Sequence, residues 1–296
     1  MRCILSLFPY YPFHTSLVTM GIKRAWLYAR KKGNVPDAQP KVSPVSPESK
    51  IRVDVCSIHN TPIRHFYHNA TDLDTAHRKL ESWLKKIGDK ARVRYYIDGE
   101  PAEEKKQTHA DRHQGRQRAL VKADTAITKL ESRLATKARI RKHHIADANK
   151  NLRQAFHWSL EHRSSFVEYM SNEGYDIVLC PTEADVLIAS ECQPQDAVVS
   201  CDSDLLFYKS ISTVWRPVGS YKARQFVPYE KSALLEALGL STTQLTALAI
   251  LSGNDYVNNI PHLAIDTNAK LIKDMHGGKR EESEDKVKLD YWYHSS

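Results

Sequence analysis

Seven carboxylates stand where charge is least welcome. Asp54 interrupts the apolar run "IRVDVCSI", and Asp98 closes "ARVRYYIDG". Glu183 and Asp185 lead "PTEADVLIAS", Asp202 and Asp204 end "VVSCDSD", and Asp255 follows "LTALAILSGND". Gathered without partners, such groups repel one another and lose hydration, so each resists ionisation. Divalent cations resolve that conflict, and hard oxygen donors suit Mg²⁺ or Mn²⁺. Seven acids suffice for two ions. Two ions about 4 Å apart can clamp the attacking and leaving oxygens of a phosphodiester in an in-line displacement. The chemistry expected is hydrolysis of a phosphodiester.

Local duties compete with that reading at several positions. Thr182 with Asp185 three residues on has the spacing of a capping box, and acids in a first helical turn favour the helix dipole. Asp98-Gly99 is a common turn dipeptide, and Asp255 in "SGND" fits a loop. Asp202 and Asp204, directly after a strand core, have no obvious capping duty. Asp54, with apolar neighbours on both sides, is the hardest to explain locally.

The elements that must position these acids alternate. "KIRVDVCSI", "ARVRYYIDG", "YDIVLCP" and "DAVVSCDSD" read as strands. "DLDTAHRKLESWLKKIG", "TEADVLIASEC", "SALLEALGL" and "TTQLTALAILSG" read as helices. Such alternation implies an α/β fold, a mainly parallel sheet with helices on both faces. Ligands gather at the carboxyl ends of parallel strands, which is where the acids fall. From Glu103 to about Gly174 no strand is recognisable, only helical pattern rich in Ala, Lys, Arg and Gln. "MGIKRAWLYARKKG" reads as a fresh start followed by a short helix. "NVPDAQPKVSPVSPES" is a Pro/Ser-rich connector, and "GGKREESEDKVKLDYWYHSS" is a mixed-charge tail.

The chain of 296 residues carries a formal charge of +8. Lys105 to Arg153 holds 14 Lys plus Arg against 4 Asp plus Glu, a net of +10 (14 minus 4), so the rest sums to −2. That localised excess is either the electrostatic footprint of a nucleic acid or a solvated helical face. Five scattered cysteines without a C-x-x-C pair favour reduced thiols in an intracellular protein. No run approaches the length of a membrane span.

The ordered set "MGIKRAW", "VDVCS", "YYIDG", "PTEADVLIA", "SCDSDLLFY" and "LSGNDY" resembles the motifs of the flap endonuclease and XPG family of structure-specific nucleases, over roughly Met20 to Ile272. The resemblance implies a PIN-like nuclease fold and places metal-binding acids at Asp54, Asp98, Glu183, Asp185, Asp202, Asp204 and Asp255, with two Mg²⁺ or Mn²⁺ ions. It also implies a long basic helical arch inserted after the second strand. There Lys105 and Arg112 match cations that steer the scissile phosphate, seven residues apart and so on one side of a helix. Arg116 matches a phosphate contact, and Arg118 and Lys122 extend the expected DNA-binding face. Gly21 matches a glycine beside the active site. The implied organisation is an extension over 1–19, a first nuclease segment over 20–102 containing the connector 33–49, the arch over 103–174, a second nuclease segment over 175–275 and a tail over 276–296.

The sequence departs from the family pattern in four places. Nineteen residues precede Met20. The helix-hairpin-helix expected after Asp255 is degenerate, because "NNIPHLAIDTNAKLIKD" lacks the glycines that let backbone amides approach duplex phosphates. Asn60 stands near the place of a stacking tyrosine. No sliding-clamp motif is recognisable. The function implied is a divalent-metal-dependent endonuclease, active as a monomer on branched or flapped DNA at single-strand to duplex junctions, with DNA repair in the nucleus as its setting. A mitochondrial location follows if residues 1–19 act as a targeting segment. Two alternatives stay open: a nuclease acting on single-stranded RNA or DNA, and a nucleic-acid-binding relative with weak catalysis. His109 and His113, four apart, could ligate zinc, but on a basic helix phosphate contact or solvation is the simpler reading. "RIRKHH" is either a nuclear address or more of the basic face, and Tyr291 to Tyr293 either touch a partner or lie in a disordered terminus.

Overall fold

The computed structural model describes residues 25–33, 35–43, 46–58, 60–101, 105–219, 225–252 and 264–276. Gly21, Asp255 and the tail beyond 276 lie outside the described residues. Six strands form one sheet in the order β3-β2-β1-β4-β5-β6. They are β1 (Ile51–Asp54), β2 (Val93–Ile97), β3 (Asp176–Leu179), β4 (Ala197–Val199), β5 (Thr213–Val218) and β6 (Gln225–Glu230). The first five run parallel, and β6 returns antiparallel to β5. The sheet is therefore the mostly parallel one that the alternating elements imply.

Its strand order reverses between β1 and β4: the chain winds one way through β2 and β3, then crosses to the other side. Crevices at such a reversal are where doubly wound sheets bind ligands. Asp54 ends β1 and Asp202 follows β4, so the two flank the reversal.

Side chains alternate across the sheet because successive residues point to opposite faces. Val53, Tyr95, Ile97, Val199 and Trp215 enter one core. That core is closed by α4 (Leu73–Leu84) and α7 (Leu160–Asn172) through Leu80, Trp83, Phe166 and Met170. Tyr96, Val198 and Val214 enter the other core, beneath α1 (Ala25–Lys32), α8 (Ala184–Glu191), α9 (Lys231–Leu238), α10 (Thr242–Leu251) and α11 (Ile265–His276). With both faces covered, the strands read as near-continuous apolar runs. Asn268 of α11 is wholly buried and donates to the Leu251 carbonyl at 3.1 Å, tying α11 to the end of α10.

Two expectations are corrected. The run "VCSI", read as part of a strand, is a short helix, α2 (Val55–Ile58). Its β-branched residues favour a strand, but the Asp54 carboxylate accepts the Ser57 amide at 3.0 Å and starts a helical turn. The β5–β6 hairpin has no counterpart in the sequence reading, and each of its strands carries a proline, Pro217 and Pro228. Pro217 lies beyond the last residue paired with β4, and Pro228 is on an edge strand, the places where proline is tolerated. Part of the Pro/Ser-rich connector is also ordered: Gln39 bridges to Phe226, and Val42 is buried.

Among its described residues the basic region is built of helices joined by short connections, with no strand. α5 (Lys106–Ala135) has 30 residues, a rod of roughly 45 Å. It pairs with α6 (Lys142–Ala155), the buried positions being small or aliphatic: Ala119, Ala123, Leu130 and Ala148. α7 belongs instead to the sheet's core, since its Phe166 and Met170 are fully buried there. No single described helix is long and apolar enough to cross a membrane; α9 and α10 pass jointly by composition, but bend by 85° and bury their apolar residues in the core.

Candidate functional site

The structure brings together the carboxylates of β1, β2, α8 and the segment after β4. Asp54 is 5% exposed. Besides capping Ser57, it accepts the Ser200 hydroxyl at 2.9 Å. The same hydroxyl receives the Asp202 amide at 2.9 Å and lies 3.0 Å from Ser57 Oγ. Ser57 and Ser200 thus lock the ends of β1 and β4 to each other.

Asp98 follows β2. Its carboxylate accepts the amide of Ala184 at 2.8 Å, so the start of α8 is capped by an acid from another strand. The Thr182–Asp185 capping box is replaced by this arrangement: the N-cap residue is Glu183, with no side-chain cap bond of its own. Gly99 permits the close approach, since a β-carbon there would lie 1.8 Å from the Cys180 carbonyl oxygen. The guanidinium of Arg163 on α7 donates to the carbonyls of Asp98 and Gly99 at 2.6 and 2.9 Å and holds the turn from behind.

Glu183 receives the ammonium of Lys105, which is 7% exposed at the start of α5. Asp185, 9% exposed, accepts the Tyr208 hydroxyl at 2.9 Å. Asp202 accepts the amide of Asp204, which opens a 3-10 turn over Asp204–Phe207.

The electrostatics are those of crowded, desolvated acids. Burial, then Asp98 and Asp202, holds the Asp54 carboxyl well above the usual range. Burial, with Glu183 adding to it, raises Asp98 and Asp185. Burial and the neighbouring Asp204 push Asp202 up to about 7. Three thiols border the same pocket of charge: burial drives Cys56 up, and Cys180 and Cys201 each to about 12.

Among the described residues no three His, Cys, Asp or Glu side chains stand as a ready-made coordination shell. Their oxygens are turned toward amides, hydroxyls and Lys105 instead. The donor set itself fits a hard divalent cation: buried carboxylate oxygens, each raised by burial and by a neighbouring acid, whose repulsion a cation would relieve. Among the described residues no third His, Cys, Asp or Glu joins His109 and His113 in a metal-binding group. Burial and Arg112 lower His109, whose surroundings also include Glu183, Lys105 and Arg116, so the first turns of α5 lie near Glu183. Arg112, Arg118 and Lys122 are exposed along α5, and Arg116 is half-buried.

Sequence reading missed Ser57, Ser200, Arg163 and Tyr208. The serines carried one signal, their place two residues before or three after a strand-end aspartate. Arg163 and Tyr208 carried none, because their partners lie 65 and 23 residues away.

Residues 174–255 match the XPG I-region. Over 204 residues the chain is 28% identical to flap endonuclease 1-A of Physcomitrium patens, covering 68% of this chain and 46% of that protein. It is 29% identical over 205 residues to flap endonuclease 1-B of the same organism, covering 68% and 52%. The chain thus spans about half the length of the curated relatives it matches. The solved catalytic core of Rad2 (complex I) superposes with a TM-score of 0.54 at 17% identity, over 93% of this chain and 71% of that one. The catalytic core of Rad2 in complex with DNA substrate (complex II) gives 0.51 at 18% identity, over 87% and 69%. The fold is shared with both. The I-region match and the relatives liken the chain to the flap endonuclease/XPG family, and the shared fold agrees with that likeness.

Proposed function

We propose that the protein is a divalent-metal-dependent nuclease that hydrolyses DNA phosphodiesters at junctions between single strand and duplex. The observation that carries the reading is the convergence of Asp54, Asp98, Glu183, Asp185 and Asp202 on one edge of the sheet, beneath a helical hairpin whose sequence holds a net +10. Acids facing phosphates repel them unless cations intervene, so a binding protein gains nothing from this arrangement.

Asp54, Asp98, Glu183, Asp185, Asp202 and Asp204 are the residues that would hold Mg²⁺ or Mn²⁺, together with Asp255. The chemistry such ions supply is activation of water and neutralisation of charge on the phosphate. The chain's own groups do the rest. Ser57 and Ser200 fix the spacing between β1 and β4, and Arg163 fixes the Asp98 turn, so the acids keep their places when a polyanion arrives. Lys105, paired with Glu183 at the start of α5, would meet the scissile phosphate. Arg112, farther along α5, faces solvent, where it can meet that phosphate first. Arg116, Arg118 and Lys122 extend the cationic track, which draws the backbone in and orients it.

The absence of glycine from "NNIPHLAIDTNAKLIKD" favours a second substrate class, single-stranded RNA or DNA, since the duplex grip is weakened. One assay separates the readings. Flap, bubble, nicked and single-stranded DNA and single-stranded RNA are incubated with the protein in Mg²⁺ or EDTA. Mg²⁺-dependent cutting of the flap is the expected result, and cutting of single strands alone selects the second reading. Binding of equal tightness in EDTA and Mg²⁺, with no cleavage of any substrate, would show a binding relative and overturn both.

A further inference from the structure

Asp185 is held from outside its own helix. Its Oδ1 accepts the neighbouring Val186 amide at 2.8 Å, and its Oδ2 accepts the hydroxyl of Tyr208 at 2.9 Å. Tyr208 directly follows the 3-10 turn that begins with Asp204. One side chain therefore links two acid-bearing segments.

The backbone beneath Tyr208 is itself pinned. Lys231, first residue of α9, is 5% exposed, and its ammonium donates to the Tyr208 carbonyl and reaches the Lys209 carbonyl at 3.5 Å. Thr246 of α10 donates to the Phe207 carbonyl at 3.0 Å, and Ser210 donates to the Ala189 carbonyl of α8 at 2.5 Å. Residues 207–210 are thus fastened to α8, α9 and α10 at once. A buried ammonium is expensive, and an aliphatic side chain would fill the same space at lower cost. Its aim at two successive carbonyls gives that cost a purpose: it fixes the register of the loop that presents Tyr208 to Asp185.

We propose that Tyr208 is a positioning residue for Asp185 and that the buried Lys231 anchors it, the pair setting the site's affinity for its divalent cation. This rests on the reading of the carboxylates as ion-binding groups. The hydroxyl occupies one lone pair of Oδ2 and fixes the plane of the carboxylate, so the remaining lone pairs keep a constant direction. Partners of this kind, one bond removed from a ligand, are worth about 10- to 100-fold in metal affinity.

The test is calorimetric titration of Mn²⁺ into the full chain without DNA, for wild type, Tyr208→Phe, Lys231→Met and the double variant. Melting temperature in EDTA is recorded for each. Tyr208→Phe is expected to weaken Mn²⁺ binding about tenfold while leaving the EDTA melting temperature within a degree or two. Lys231→Met is expected to weaken it several-fold on the wild-type background and to add nothing on the Tyr208→Phe background, because both act through one carboxylate. A merely structural lysine would lower the melting temperature and leave Mn²⁺ affinity unmoved, which overturns its role. Tyr208→Phe binding Mn²⁺ within twofold of a wild type that binds and cuts would overturn the clamp and leave the nuclease reading standing. A wild type that binds no Mn²⁺ would overturn both.

Discussion

At the end of the sheet where the strands begin, Arg52 is 7% exposed and each charge meets its opposite: its guanidinium bonds Asp196 at 2.8 Å and Glu191 at 3.0 Å, with Tyr96 closing the group. Where the strands finish, Asp54 is as deeply placed and Asp98 and Asp202 are half-buried, but all three take their bonds from amides, hydroxyls and a thiol. In the first cluster Arg52 and Arg94 together offset Asp196 and Glu191, so its charges are matched within the fold. The second is held in an unfavourable charge state by its surroundings, as functional sites are. Comparing the two teaches how to separate structural acids from functional ones: by whether the fold has already matched their charge.

Substitution should expose the contrast. Arg52→Met strands Asp196 in the interior, while Glu191 keeps Arg94, and the expected loss is about 3–5 kcal/mol of stability, read by urea denaturation. Cutting per folded molecule should stay at the wild-type value. Asp54→Asn with Asp202→Asn keeps the shape and one accepting oxygen per side chain at the other end while removing charge. Cutting should fall by about a hundredfold or more, and stability in EDTA should hold or rise. A loss of stability as large as that of Arg52→Met would erase the distinction.

Acid-base behaviour sharpens it. Unfolded, Asp202 releases its proton near 3.8; folded, near 7. The folded state therefore binds more protons between those values, and the stabilisation present below pH 4 is lost as pH rises to 7. Metal-free protein should lose on the order of 4 kcal/mol from Asp202 across that window, with Asp54, Asp98 and Asp185 acting in the same direction. Denaturation in EDTA from pH 4 to 8 reads the slope, which Asp202→Asn should flatten. The smallest effect belongs to the hairpin: Arg118→Ala with Lys122→Ala should lower the salt slope of DNA binding by roughly 2, sparing the rate of cutting at saturation.

The sequence made the acids legible because parallel strands end in step: apolar runs of strand length followed at once by Asp mark the carboxyl edge. The sheet's character was legible for the same reason. What it hid had tertiary causes. Asp54 doubles as the cap of α2, and that bond overrode the strand preference of Val55. The β5–β6 pairing runs through prolines whose tolerance depends on where β4 stops. Asp98 capping α8 takes the place of the Thr182–Asp185 box, a substitution visible only once β2 and α8 meet. Lys105 and Glu183, 78 residues apart, carried no local sign of their pairing.

The most direct test of the carboxylate edge as a divalent-cation site is the unfolding free energy measured against Mg²⁺ concentration at neutral pH, for wild type and for Asp54→Asn with Asp202→Asn. Wild type should gain stability in proportion to the logarithm of Mg²⁺ once the site begins to fill, and the variant should show no gain. A wild type indifferent to Mg²⁺, or a variant that responds as strongly, would contradict it.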